Sequence, residues 1–279
     1  MAIGHKGYGR LRVARIVVSL AVMLAVAITV ALGYHTFLSS WQLIPAILAG
    51  TAEWLLFWAA ITALVGRLYC STACPMGTLQ DCVSRLNRRR NGFFYSPNRG
   101  RLRWIFVLVM LIAVVFGIGI VEQVLDPSSA FNSIIKGTLE PIFGTVVFTL
   151  SSGLVAAAVL AILAVFALKR GRLLCNTLCP LGTVLGAFSR MSLYHIDINT
   201  DKCVGCGLCT ARCKAECIDP KGHTVDYSRC VVCFDCVAAC PNDAISLRRG
   251  NHQLQWPLLQ ASDPEIAKSG EWSIEKPEK

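Results

Sequence analysis

Four long apolar runs, at about residues 13–33, 46–66, 103–124 and 142–168, constrain this chain before anything else does. Crossing a bilayer takes roughly 20 mainly apolar residues in helix, because backbone polar groups find no partner in hydrocarbon. Each run is long enough. Composition agrees: 54% of the 279 residues are apolar and 16% are charged, against about 25% charged in ordinary soluble domains. A soluble enzyme is excluded. The chain reads as an α-helical membrane bundle over residues 1–194, with four transmembrane helices arranged as two repeated hairpins, followed by a small cysteine-rich α+β part. The first run exceeds the apolar core of a signal peptide and three more follow it, so it reads as an uncleaved anchor.

Charge gives the orientation. Residues 1–194 hold 17 Lys+Arg against 5 Asp+Glu, whereas residues 195–279 hold 10 against 12. The excess flanks the apolar runs, which makes it a topology signal and leaves nucleic acid without a case as a partner. The first 15 residues carry four basic side chains and residues 67–103 carry eight; residues 34–45 carry none and residues 125–141 only Lys136. By the positive-inside rule both termini and the cysteine-rich part face the cytoplasm of a multi-pass protein in a bacterial inner membrane.

A duplication carries cysteines. GRLYCSTACPMGTLQDCVSR from Gly66 recurs as GRLLCNTLCPLGTVLGAFSR from Gly171, identical at 11 of 20 positions. Each copy follows an even-numbered run, as in parallel repeats related by an axis along the membrane normal. Two C-x3-C-P elements can thus bring Cys70, Cys74, Cys175 and Cys179 together on the cytoplasmic face as a candidate third site. Four thiolates suit an iron–sulfur cluster or a zinc ion; redox dithiols, or small residues at a tight turn, are the other readings. A proline there fits only a first helical turn or a break. Cys82 has no counterpart and reads as a bystander.

Residues 203–240 carry the strongest motif. CVGCGLCTARC and CVVCFDCVAACP each give C-x2-C-x2-C-x3-C, 27 residues apart, and resemble the bacterial two-cluster ferredoxin pattern, in which the fourth cysteine of each run ligates the other cluster. The resemblance implies one [4Fe-4S] cluster on Cys203, Cys206, Cys209 and Cys240, and a second on Cys230, Cys233, Cys236 and Cys213. Gly205 and Gly207 relax the backbone where it passes the sulfides. Lys214 stands where proline usually follows, and an extra Cys217 competes with Cys213 as fourth ligand; spacing favours Cys213. A segment of this size buries little core, so clusters should also hold it folded.

Spans, paired C-x3-C-P elements and a two-cluster segment together resemble the NapH/NosR-type membrane polyferredoxins over residues 1–249. That resemblance implies single-electron transfer between the quinone pool, or a cytoplasmic donor, and partner redox proteins; the NapH branch is a quinol dehydrogenase component. The CcoG group, which serves assembly of copper-containing oxidases, shares the same elements. The alternatives are therefore a CcoG-like assembly factor or an iron–sulfur redox sensor. The tail from Asn251 reads as a mobile end.

The rest of the sequence narrows the chemistry. No histidine lies inside a run, and no covalent-haem, dinucleotide or P-loop motif is present, so the iron–sulfur clusters are the only electron carriers declared. An intramembrane carboxylate is costly enough to suggest function. Glu53, flanked by Trp54 and Trp58, is the candidate quinone residue, with His35 and Glu122 near the same outer face.

Overall fold

The computed structural model describes residues 5–32, 52–88, 92–116 and 150–249, with 129, 131–132 and 134–135 between them. The outer connections with His35 and Glu122, parts of the second to fourth runs, and the tail from residue 250 lie outside the described residues. Among the described residues eight helices in two sets of four, apart from the helical residues at 129–135, precede a small region of strands. The first set is α1 (His5–Ala31), α2 (Ala52–Val65), α3 (Tyr69–Thr72) and α4 (Pro75–Arg88); the second is α5 (Gly100–Phe116), α6 (Leu150–Arg170), α7 (Leu173–Thr177) and α8 (Pro180–Ser189).

The duplicated sequence produces a duplicated backbone. A long helix closes on a left-handed glycine, Gly66 (φ 86°) or Gly171 (φ 58°), a conformation that β-carbon sterics deny to most residues. A short helix holding the first cysteine follows, then the second cysteine, and then a proline that opens the next helix. Pro75 and Pro180 occupy first-turn positions, where the missing N–H has no intrahelical partner to lose. The C-x3-C-P element is therefore a helix break, and its cysteines flank that break.

The sets exchange partners. α6 packs on α4 while α2 packs on α8, and α1 packs on α4 as α5 packs on α8. The long helices leave apolar faces outside, including Val17, Leu24 and Ile28 on α1, Leu56 and Phe57 on α2, and Leu111, Val115 and Phe116 on α5. Exposed apolar surface on that scale is unusual for a protein in water. Among the described residues one helix, Gly7–Ala31, is long and apolar enough to cross a membrane by length and composition.

The cysteine-rich part is α+β. β1 (Tyr194–Ile198) pairs antiparallel with β4 (Ile245–Arg249), running from Tyr194 opposite Arg249 to Ile198 opposite Ile245, so the two ends of the segment close on each other. β2 (Ile218–Asp219) and β3 (Thr224–Val225) make a small hairpin. α9 (Leu208–Arg212) and a 3-10 turn at Val237–Ala239 complete it. The apolar core runs without interruption from Trp58 and Leu163 of the helices through Ile196, Ile218 and Val231.

Gly171 is one of the places where the two parts meet closely. A β-carbon there would stand 2.5 Å from the Lys214 carbonyl oxygen, which accepts the Arg172 N–H at 2.8 Å. Gly171→Ala is expected to destabilise the protein by about 2 kcal/mol, from left-handed strain and the displaced contact. Gly9→Ala on α1, with open space around its β-carbon, should be neutral or stabilising. Denaturant midpoints in detergent micelles compare the two.

Candidate iron-sulfur centres

The break between the short helix and the next helix places each C-x3-C-P pair. Cys70 lies in α3 and Cys175 in α7, while Cys74 and Cys179 precede the prolines that open α4 and α8. Each second cysteine is an N-terminal cap: Cys179 Sγ accepts the Gly182 N–H at 3.3 Å, and the Gly77 N–H does the same for Cys74. Gly77 and Gly182 press against the backbone carbonyls of Cys70 and Cys175, so that a β-carbon at either would collide with them. The two pairs converge. Cys74 feels the charges of Cys175 and Cys70, and Cys179 those of Cys175, Cys70 and Cys74.

Burial dominates this site. It pushes Cys175 up to about 11, against the pull of Arg172 and Arg67. Cys74 and Cys179 are raised further, again mainly by burial and then by neighbouring sulfur charge. Thiols in such a place become thiolates only when a cationic centre binds them. Among the described residues no three His, Cys, Asp or Glu side chains come close enough to hold a single ion. A cubane, whose ligands sit at four separated corners, asks for wider spacing.

Two arginines complete the site. Arg67 and Arg172 follow the paired glycines and are both fully buried, although the basic residues of this face read from sequence as interfacial topology markers. Each reaches into the other repeat. Arg172 donates to Asp81 Oδ1 (2.6 Å), the Cys70 carbonyl (2.6 Å) and the Gly77 carbonyl (3.1 Å). Arg67 donates to Asn176 Oδ1 at 2.8 Å and the Ser228 carbonyl at 3.1 Å, and approaches Cys70 Sγ at 3.7 Å. Among the described residues Arg67 pairs with no carboxylate, and its Nε has no hydrogen-bond partner. A buried guanidinium of this kind needs a countercharge, and Cys70 Sγ, 3.7 Å away, can supply one as a thiolate. The donor set fits an anionic thiolate-ligated cluster. Identity of Gly-Arg between the two copies was the sequence signal for these arginines.

The second centre is a small hollow with five cysteines in its wall: Cys213, Cys217, Cys230, Cys233 and Cys236. Apolar side chains including Ile196, Ile218 and Val231 complete the lining, so thiolate ligands and an apolar shell fit a cubane here too. Cys213 and Cys217 touch, Sγ to Sγ, at 3.5 Å. The hydrogen bond from Cys217 brings Cys213 down to about 7, against burial. Cys217 itself is raised well above its ordinary value by its bonds to Cys213 and Cys230 and then by burial.

The other ferredoxin-type cysteines lie nearer solvent. Cys206 is exposed, Cys203 and Cys209 are half-buried and Cys240 is buried. Cys209, raised by burial, also feels the charges of Cys203 and Cys206. Left-handed Gly205 and Gly207 shape this loop, and 27 residues on Val232 (φ 50°) and Phe234 (φ 59°) adopt the same conformation. Bulky side chains there cost conformational energy, but both are buried, and Phe234 lines the second hollow. One centre is therefore walled in and the other open.

Lys214 explains its departure from the ferredoxin pattern. Its Nζ pairs with Asp81 Oδ2 and lies 3.6 Å from Asp235, and Arg15 approaches Asp81 at 3.4 Å. Proline at this position would lose that anchor. Elsewhere, Cys82 is half-buried on α4 and Glu53 is exposed on the first turn of α2. Trp58 is spent in packing, in edge contact with Phe57 at 5.2 Å and Tyr69 at 4.8 Å.

Asp81 gives a test. Burial would raise its carboxyl, but Arg172 and Lys214 together hold it well below the ordinary 3.8. Its stabilisation is thus present above about pH 4 and is lost only as pH falls toward the depressed value. Asp81→Asn leaves buried cations unpaired and is expected to cost roughly 3–5 kcal/mol. The deficit should be constant from pH 8 to pH 5 and shrink only in stronger acid, as denaturant titrations at each pH would show.

Comparison with known proteins points the same way. The family described as "4Fe-4S binding domain" matches residues 52–93 and 152–198, which contain the two C-x3-C-P elements. The regulatory protein NosR of Pseudomonas aeruginosa is 30% identical over 183 residues, 64% of this chain and 24% of that one. The ferredoxin-type protein NapH of Escherichia coli is 23% identical over 214 residues, 73% of this chain and 69% of that one. An uncharacterised protein of Methanocaldococcus jannaschii is 27% identical over 192 residues, 66% of this chain and 65% of that one. The chain thus spans just under two thirds of the archaeal relative and about a quarter of NosR. No solved structure matches it.

Proposed function

The chain belongs to the NapH/NosR-type family of ferredoxin-like 4Fe-4S proteins, and from that premise we propose that it relays single electrons at a membrane, between the quinone pool or a cytoplasmic donor and a partner redox protein. One contact carries the reading. Asn176, the residue after Cys175, donates to the Ala215 carbonyl at 2.9 Å, and Ala215 lines the five-cysteine hollow. A single side chain therefore joins the C-x3-C-P site to the ferredoxin-type cysteines within one buried core.

Three centres are assigned. Cys203, Cys206, Cys209 and Cys240 hold a [4Fe-4S] cluster at the open edge; Cys230, Cys233, Cys236 and Cys213 hold a second in the hollow; Cys70, Cys74, Cys175 and Cys179 hold a third. Such clusters supply one-electron storage at potentials that the surroundings set. The chain's own residues do the rest. Arg67 and Arg172 balance thiolate charge, the Gly77 and Gly182 amides donate to sulfur, and Val231 and Phe234 give the hollow an apolar wall. Exposed Cys206 marks the edge where a partner can approach.

The domain division at residues 194 and 249 is kept, with α1, α2, α5 and α6 as the four spans and both termini cytoplasmic. Support comes from the outward apolar faces and from the arginines gathered at the cysteine side. Glu53 is assigned as the proton acceptor for quinol at the start of α2.

Iron content separates the assignments. Purified protein is expected to hold about twelve irons per chain, and Cys175→Ser about eight; eight in both would remove the third centre. Glu53→Gln should slow reduction of the clusters by a quinol analogue, followed by EPR, and leave reduction by dithionite unchanged. A membrane-impermeant thiol reagent should label Arg85→Cys only from the cytoplasmic side.

A further inference from the structure

Five cysteines surround the hollow where a cubane takes four, and an internal symmetry of the ferredoxin-type part says which one is surplus. An offset of 27 superposes its two halves by conformation as well as by sequence. Gly205 and Val232, Gly207 and Phe234, and Glu216 and Asp243 are pairs at this spacing, and all six have φ between 50° and 69°. Cys213 (φ −83°, ψ 94°) corresponds to Cys240 (φ −77°, ψ 116°), each closing a short helical turn in extended backbone. Cys217 then corresponds to Ala244, and both are 2% exposed. The other half of the domain builds the same corner with a methyl group.

The contact between the sulfurs is also decisive. At 3.5 Å, Cys213 and Cys217 are at hydrogen-bonding separation, whereas two thiolates on different iron corners repel and stand apart. Cys217 and the ligand Cys230 also stand in the same wall. Resting on the cluster assignment above, we propose that Cys217 is a positioning residue, a protonated thiol that donates S–H···S to the Cys213 ligand thiolate and raises the reduction potential of the walled-in centre.

The sign follows from charge. When the centre takes one electron no bond forms or breaks, the added negative charge spreads onto the ligand sulfurs, and the proton stays on Cys217. A donor aimed at such a sulfur stabilises the reduced form more than the oxidised one, and hydrogen bonds to sulfur are among the factors that set cluster potentials. A thiol is a weak donor, but between two buried sulfurs against an apolar wall its effect is little screened. The matched corner at Ala244 has no donor, so the duplicated halves give their centres different potentials.

Potentiometric titration of the full-length protein, followed by EPR and paired with iron analysis, tests this on wild type, Cys217→Ala and Cys217→Ser. Cys217→Ala, which copies the matched corner, should keep its full iron complement while one EPR-detected centre moves to lower potential. The shift should reach up to about tenfold in the redox equilibrium, 59 mV for one electron. Cys217→Ser keeps an O–H donor and should leave the potential close to wild type. Loss of about four irons in Cys217→Ala would make Cys217 a ligand, and unchanged potentials in both variants would remove the hydrogen bond; either result overturns the inference. Wild-type protein with no cubane signal would instead overturn the cluster assignment itself, and the inference with it.

Discussion

Arg67 and Arg172 are withdrawn entirely from water on the repeats' cysteine side, and the arrangement of the rest can be followed outward from them. Moving a guanidinium from water into a protein interior costs several kcal/mol unless charge and hydrogen bonds compensate. Arg172 is compensated by Asp81 and by the carbonyls of Cys70 and Gly77 in the opposite repeat. The same bonds hold the two C-x3-C-P elements against each other. Arg67 receives only neutral acceptors and a sulfur among the described residues. Its missing countercharge ties the folding of this region to what the cysteines bind.

The repeats are alike in backbone, and of the nine positions in twenty at which they differ one sets how the ferredoxin-type part is received. Where the first has Asp81 the second has Gly186, and a β-carbon there would collide with the Ser228 carbonyl of the ferredoxin-type part. That carbonyl accepts from Arg67 at 3.1 Å and Arg103 at 3.3 Å, a role that the Asp81 carboxylate fills for Arg172 and Arg15 on the other side. One copy thus offers a negative anchor for Lys214, and the other offers the space in which the same part is received. The two repeats hold the cysteine-rich part in a single orientation because of this difference.

Much of the site was legible in the chain. The C-x2-C-x2-C-x3-C runs and the duplicated C-x3-C-P elements name their cysteines, since short spacings fix how close successive thiols lie. The role of Lys214 was hidden, because its partner Asp81 is 133 residues away. Arg67 and Arg172 were misleading for a related reason. Arginine beside an apolar run most often marks the membrane surface, and only packing of one repeat on the other buries these two.

The apolar runs, the glycine-turned cysteine elements and the ferredoxin-type spacing can be read from the chain alone, because they depend on hydropathy, backbone sterics and local chain reach. Packing determines which cysteines share a wall, that Cys217 leans on Cys213, that Cys206 is exposed while Cys236 is buried, and that Asn176 bridges the C-x3-C-P site to the hollow. These outcomes depend on buried charges and close contacts between residues distant in the chain, whose energies exist only once the helices have exchanged partners and excluded water.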